Sequence, residues 1–290
     1  ISNQLDGVSK VISNLAENIS EKNNQKKQED ELLILLKQKG INAINIKIKQ
    51  DENKKYIIDI YSIMLDEVSE ELEKTKKIEE ILSKFLGQKV VLQKQKNNIN
   101  ENNEELQTYS FEDKYTIQVG CANTKKYDST VSGDSTIQTK LNDGKYMFAI
   151  SDGMGSNIEA KKSSSVAIKM LKRLLTSGFD KDASLELINS TLYLNSDEEM
   201  YSTLDIAIFD LYIGKVEFIK NGAMPTFIKN GKNIEVINNE SLPAGLVNDL
   251  KLVVHDTEIK ENDIIVMCSD GIIESNKEKR EKWIKELLEK

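Results

Sequence analysis

An apolar run that stops at Ser-Asp-Gly occurs twice in this chain, and that repetition constrains the fold more than any other feature. The first copy reads Tyr146-Met-Phe-Ala-Ile-Ser-Asp-Gly-Met-Gly-Ser156 and the second Ile264-Ile-Val-Met-Cys-Ser-Asp-Gly-Ile272. A single Asp-Gly after a strand most often marks a turn. Two with the same flanks put Asp152 and Asp270 at matching strand ends. A rigid sheet fixes a carboxylate there, and Gly153 lets the next backbone carbonyl approach the same ion. Asp134, in Ser132-Gly-Asp-Ser135 ahead of a strand, is a third carboxylate candidate.

Composition narrows the chemistry to those carboxylates. The 290 residues allow one large or two ordinary domains, and 39% hydrophobic with 30% charged residues describes a soluble, core-forming chain. A net charge of -8 argues against nucleic acid as the main ligand, because phosphate binding needs a basic surface. The single histidine, His255, removes most zinc chemistry and any Ser-His-Asp triad that does not use it. It lies in the alternating run Lys251 to Ile259 and reads as a strand residue. Cys121 and Cys268 sit in strand-like runs without metal spacing and read as buried, reduced thiols of a cytosolic protein. An enzyme built from this set works through carboxylates, which favour Mg²⁺ or Mn²⁺. Three carboxylates, a carbonyl and waters can bind two such ions, lower the pKa of a shared water and orient it in line with a phosphate ester.

Periodicity divides the chain. Val8, Val11, Ile12, Leu15 and Ile19 form an amphipathic helical stripe, and residues 29–39 read as a second helix stopped by Gly40. Ile44, Ile46 and Ile48 alternate, and with the run 56–64 they make a β-hairpin. Asp66 caps the next expected helix, whose stripe runs from Val68 to Phe85, and residues 89–94 form a short strand. Residues 96–107, rich in Asn and Glu, read as a linker, giving a first domain over 1–100 and a second over 108–290. The second opens with strands at 115–122, 136–141 and 146–150, then helices at 158–175 and 183–194. Short strands follow at 204–209, 216–220, 226–229, 234–237, 252–258 and 264–268, and a final helix at 278–290. Two helices inserted among antiparallel strands predict an α/β sandwich.

Five motifs then stand in a familiar order: Ser132-Gly-Asp-Ser135, Ile150-Ser-Asp-Gly-Met-Gly-Ser156, Thr203-Leu-Asp-Ile-Ala207, Asn221-Gly-Ala-Met-Pro-Thr-Phe-Ile228 and Cys268-Ser-Asp-Gly-Ile272. With them, residues 115–273 resemble the metal-dependent serine/threonine phosphatases of type 2C. Ser-Gly-Asp-Ser, the Met-Gly after the first Asp-Gly, and Leu242-Pro-Ala-Gly245 make the chain most similar to the bacterial branch of stage II sporulation protein E. The resemblance implies an α+β chain: a small regulatory domain with a leading helix, then an α/β-β/α sandwich holding two Mn²⁺ or Mg²⁺ ions. It assigns Asp152 as the bridge between the ions, the Gly153 carbonyl to one, Asp270 to the other, and Asp134 to the cluster directly or through water. It implies in-line attack of an activated water on a phosphorylated anti-sigma-factor antagonist during sporulation. It further implies a homodimer, and a parent protein anchored at the membrane or division septum with this part on the cytoplasmic face.

Two departures qualify the match. The family's closing strand and Asp-Asp motif have no counterpart after Ile273, so the chain, which also opens without Met, reads as a fragment of low activity. Asn157 stands where many relatives have Gly, and Asn tolerates left-handed geometry. The competing reading is a phosphatase-like module that binds the phosphoprotein or dimerises without hydrolysis. Elsewhere the plainer reading is preferred: Asp205 as a strand residue facing solvent or holding a turn, Ser163-Ser-Ser165 as a polar helix face, and Lys161-Lys162 as a solvated one. The Val68–Phe85 stripe is expected to pack on its own domain's sheet, and the Val8–Ile19 stripe is the better dimer or switch candidate.

Overall fold

A computed structural model describes residues 24–50, 55–63, 65, 68–97, 104–125, 131–141, 144–154, 158–194, 201–238, 241–248 and 250–290. The chain forms two compact units, Ile1–Asp113 and Lys114–Lys290. The stripe from Val8 to Ile19, the Asp66 cap and Asn157 lie outside the described residues.

In the first unit, helix α1 (24–38) precedes β1 (Ala43–Gln50), β2 (Tyr56–Ile63), α2 (Val68–Leu86), β3 (Val90–Lys96) and β4 (Glu104–Phe111). The sheet order is β1-β2-β4-β3, with every neighbouring pair antiparallel. Ile46 and Ile48 point into the core as the alternation predicts. A register shift between Ala43 and Asn45 reverses the parity there, burying Ala43 and turning Ile44 outward. The expected linker ends early, because residues 104–107 begin β4, which lies between β2 and β3. Leu106 faces away from Glu105 and Gln107, and polar side chains at those two positions hide the strand from a count of apolar residues.

Those polar side chains are buried because α2 meets them with its own. Ser62, Glu105, Gln107 and Tyr109 share the sheet face beneath α2. Lys74 of α2 ion-pairs with Glu105 and donates to the Ile63 carbonyl at 2.9 Å. Gln107 donates to Glu71 at 2.9 Å and accepts from the Tyr109 hydroxyl at 2.7 Å. Glu105 also accepts from Ser62 and Gln95 at 2.9 and 2.8 Å. Burial, reinforced by Glu79, Glu105 and Glu71, pushes the Tyr109 hydroxyl far above its usual range, so it stays protonated as a donor. Around this network Leu32, Leu36, Ile58, Ile60, Ile78, Leu82 and Val90 form the apolar core.

The second unit builds β5 (Asp134–Lys140), β6 (Tyr146–Asp152), α3 (Ile158–Thr176), α4 (Lys181–Leu194), β7 (Leu204–Asp210), β8 (Lys215–Asn221), β9 (Thr226–Asn230), β10 (Asn233–Ile237), β11 (Val253–Glu258), β12 (Ile264–Val266), α5 (Asp270–Ile273) and α6 (Glu281–Leu288). A five-stranded sheet runs β11-β8-β7-β6-β5 and a three-stranded one β10-β9-β12, both antiparallel throughout. Ala167, Leu171 and Leu175 of α3 and Leu185, Ile188 and Leu192 of α4 pack on Met147, Ala149, Leu204, Ile206 and Ile219 on one sheet face. The opposite face, with Ala207, Phe209, Val216 and Phe218, meets Ile228 and Ile237 of the small sheet. Trp283 and Ile284 of α6 pack with Phe227 and Val236 on the small sheet's outer side. This is the α/β-β/α sandwich, and it explains why all seven residues of β7 are buried.

Residues 115–122 depart from expectation by forming no strand. Tyr115 and Ile117 turn inward and Ile117 packs into the intersheet core, which accounts for the alternation, but no described strand forms a ladder with them. Cys121 is consequently exposed, whereas Cys268 is buried as expected.

The buried Lys74–Glu105 pair yields a stability prediction. Lys74→Met strands a carboxylate in the core and should cost about 3–5 kcal/mol. Hydrogen exchange of the full chain should show the loss as faster exchange in α2, β2 and β4. Adding Glu105→Gln removes the stranded charge and should recover most of the protection; equal exchange in parent and Lys74→Met would contradict the role given to the pair.

Candidate metal centre

Strand register brings the first two aspartates together. Asp152 ends β6, and the antiparallel pairing sets it directly opposite Asp134, the first residue of β5. Asp270 arrives from the other sheet and opens the helical turn α5 rather than ending a strand. β12 stops at Val266, paired with Phe227 of β9. Continued, the register would set Cys268 opposite Pro225, which has no N–H to donate, and residues 267–269 lie outside the sheet before the turn. Ser269 then reaches across and donates to Asp134 Oδ2 at 2.8 Å, linking the two sheets at the site.

The Asp152–Gly153 backbone is held on both sides. Asp152 N–H donates to Thr203 Oγ1 at 2.8 Å, and Thr203 N–H donates to the Asp152 carbonyl at 2.8 Å. The Ser202 hydroxyl donates to that carbonyl too, at 2.8 Å, while Ser151 donates to the Thr203 carbonyl at 2.7 Å. Gly153 is obligatory for a steric reason: a β-carbon there would stand 1.7 Å from the Ala160 carbonyl oxygen, so α3 rests on bare backbone. A β-carbon on Gly133 would lie 3.4 Å from the Gly153 carbonyl oxygen and 3.6 Å from Asp152 Oδ1. Both oxygens therefore lie beside Gly133, with the Ala160 β-carbon 3.2 Å from the same point.

Electrostatics shows that the three carboxylates interact. Burial first, then the charges of Asp134 and Asp270 and hydrogen bonding to both, push the Asp152 carboxyl from its usual value up to about 8. A cluster that cannot ionise fully by itself is one a cation would stabilise, and its donors are the hard oxygens that Mg²⁺ and Mn²⁺ prefer. Among the described residues, no three carboxylate, imidazole or thiolate groups close into a ready-made cage. The set fits an ion that keeps several waters, with Asp152, Asp134, Asp270 and the Gly153 carbonyl as protein oxygens.

Several surrounding residues turn out differently from their sequence reading. Asp205 is buried and does not face solvent: its Oδ1 lies 2.5 Å from the Lys220 ammonium, its cross-strand partner. Lys220 also donates to Thr226 Oγ1 at 2.8 Å, so the pair joins the two sheets. Burial pushes Asp205 up and Lys220 down, each opposed by its partner. Ser163 and Ser164 lie on the buried face of α3, and Lys161 donates to the Asp134 carbonyl at 2.6 Å instead of standing in water. The Gly-Asp-Ser135 loop and the helix after Gly153 are far apart in the chain, and periodicity carries no sign of their contact. His255 lies in β11 as expected.

Comparison with known proteins gives the family. The family model of "Stage II sporulation protein E (SpoIIE)" matches residues 142–289, and that of "SpoIIE, regulatory domain" matches residues 1–112. The chain belongs to the stage II sporulation protein E family. It is 34% identical to stage II sporulation protein E of Priestia megaterium, covering 98% of this chain and 49% of that protein. Against the Bacillus subtilis (strain 168) protein the values are 32%, 98% and 34%. The chain thus spans about half and about a third of these relatives. It is also similar to the solved structure of the PP2C phosphatase domain and a fragment of the regulatory domain of the cell fate determinant SpoIIE from Bacillus subtilis. That match has 30% identity, covers 99% of this chain and 84% of the solved one, and has a TM-score of 0.64. The SpoIIE regulatory match ends at residue 112, one residue before the division between the compact units.

The raised Asp152 carboxyl sets a pH dependence. Between the ordinary carboxylate value and about 8 the folded state holds a proton that the unfolded chain has released. This contribution to stability is present at low pH and is lost as pH rises toward 8. In EDTA, the melting temperature of the second unit should therefore carry a component that falls from pH 4 to pH 8, and Asp152→Asn should remove it. A pH profile identical in parent and variant would contradict the coupling.

Proposed function

We propose that this chain is the regulatory and phosphatase part of a metal-dependent protein serine/threonine phosphatase. The observation that carries the reading is the convergence of Asp134, Asp152 and Asp270 beside the Gly153 carbonyl, in a sandwich similar to the SpoIIE PP2C domain. Asp152, Asp134, Asp270 and the Gly153 carbonyl would hold Mn²⁺ or Mg²⁺. Bound there, such ions would polarise a phosphoryl group and lower the pKa of water, the chemistry of phosphoester hydrolysis.

The chain's own part is positional and protonic. Thr203 and Ser202 fix the Asp152 backbone, so the carboxylate cannot rotate away with its strand end. Ser269 ties Asp134 to the segment carrying Asp270, which keeps the two sheets' contributions in one place. The proton held by Asp152 below about pH 8 has to leave for the carboxylate to act as a ligand, so metal affinity should rise with pH.

The substrate proposed is a phosphoserine protein, the phosphorylated anti-sigma-factor antagonist implied by the family. The first unit is proposed to regulate the second and to support a homodimer, with the parent protein held at the cytoplasmic face of a membrane.

Phosphate release from a phosphoserine antagonist protein, measured with and without Mn²⁺, tests the reading. The Mn²⁺-dependent rate in the parent chain should fall by at least about 100-fold in Asp152→Asn, the scale expected when a group stabilising transition-state charge is removed. Binding of the phosphoprotein without hydrolysis, in this chain and in a longer one continuing past Lys290, would favour a non-catalytic binding module instead.

A further inference from the structure

Helix α3 does more than cover the sheet: its first two turns grip the loop that carries Asp134. Lys161 Nζ donates to the Asp134 carbonyl at 2.6 Å and to Ser135 Oγ at 3.1 Å. The Ser164 hydroxyl donates to the Gly133 carbonyl, and Ser135 Oγ lies 2.8 Å from Ser164 Oγ and 3.2 Å from Ser165 Oγ. Three consecutive residues where the chain enters β5, Gly133, Asp134 and Ser135, are thus each held by side chains of one helix.

Strand pairing alone does not supply this restraint. β5 is the edge of its sheet and Asp134 is its first residue, where a ladder frays most easily. The Asp134 carbonyl finds its donor in a lysine, and two hydroxyls of α3, those of Ser164 and Ser165, flank that of Ser135. A half-buried lysine stretched over the loop gives up much of its rotamer freedom, which is what a merely solvated side chain would keep. The same helix sits on Gly153, so α3 fixes both the Asp134 loop and the Asp152–Gly153 end of β6.

We infer that Lys161, assisted by Ser164, is a positioning residue: it holds the Gly133–Ser135 backbone so that the Asp134 carboxylate faces Asp152. This rests on the metal-centre reading above, and it goes beyond that reading by assigning the placement of one ligand to a residue that touches no ion. The role needs a donor of lysine's length at position 161 and does not need the helix to move.

Two readouts on the full chain separate the possibilities. Lys161→Met keeps the apolar stem and removes the donors, whereas Lys161→Arg keeps donors. In metal-free protein, Lys161→Met should speed amide exchange across residues 132–136 and leave the central strands β7 and β8 at parent rates. Mn²⁺ binding, followed by the electron paramagnetic resonance signal of the free ion, should weaken about 10-fold, the scale for loss of an outer-sphere partner. Lys161→Arg should recover most of both effects, and Asp152→Asn serves as the binding-defective control. Unchanged exchange in Lys161→Met would overturn the clamp. Faster exchange with parent-like Mn²⁺ affinity would overturn its role in placing Asp134. A parent chain that binds no Mn²⁺ would overturn the metal-centre reading and this role with it, and faster exchange in Lys161→Met would then mark that failure apart from failure of the clamp.

Discussion

Mutual repulsion among Asp134, Asp152 and Asp270 is the constraint on which the rest of the second unit depends. Three half-buried carboxylates do not gather spontaneously, since each charge raises the cost of the next. The fold brings them together by backbone means. Register in the β5–β6 ladder fixes two, and the chain leaving β12 delivers the third from the facing sheet. Hydrogen bonds from Thr203, Ser202 and Ser269 keep those segments from relaxing apart. Burial first, and then the remaining repulsion, appear as the proton retained by Asp152. The unit therefore stores a demand for positive charge at the mouth between its sheets.

One row deeper the charge problem is solved differently. Asp205 and Lys220 face each other across β7 and β8, and Thr226 from the small sheet completes the group. A buried ion pair adds little net stability over well-packed apolar groups, because desolvation offsets most of the attraction. What the arrangement does provide is a fixed distance between the two sheets close to the segment that bears Asp270. Cys268 feels both charges, and burial, helped by Asp205, pushes its thiol up to about 11, so it remains a neutral packing group. The first unit uses the same device at Lys74 and Glu105, where polar residues set how a helix sits on a sheet.

The legible part of the fold was carried by period and by repeated motif. Alternation marked the hairpin strands, three-to-four spacing marked α3 and α4, and the paired Ser-Asp-Gly triplets marked two of the three carboxylates. Strand β4 was obscured because Glu105 and Gln107 are buried as polar partners of α2, so its inward face lacks the apolar signal that reveals a strand. The run from Tyr115 had the opposite fault: its alternation reflects two inward-facing residues, yet a strand also needs a ladder partner, which a local pattern does not encode. Asp205, Lys161 and Ser164 escaped for a related reason. Their partners lie 15 to 31 positions away, and a charged or hydroxyl side chain reads as solvated until that partner is known.

Glycine at 153 connects these threads. Its missing side chain lets the Ala160 carbonyl come within a distance no other residue permits, and so α3 can lie directly on the end of β6. Once the helix is that close, Lys161 and Ser164 reach the neighbouring strand, and Asp134 is restrained at the edge strand of the sheet. A small residue chosen for backbone approach thereby determines which long residue can act at a distance. The Asp-Gly pair consequently has two functions in this fold: it offers a carboxylate and a carbonyl to one space, and it admits the helix that keeps the opposing carboxylate in place.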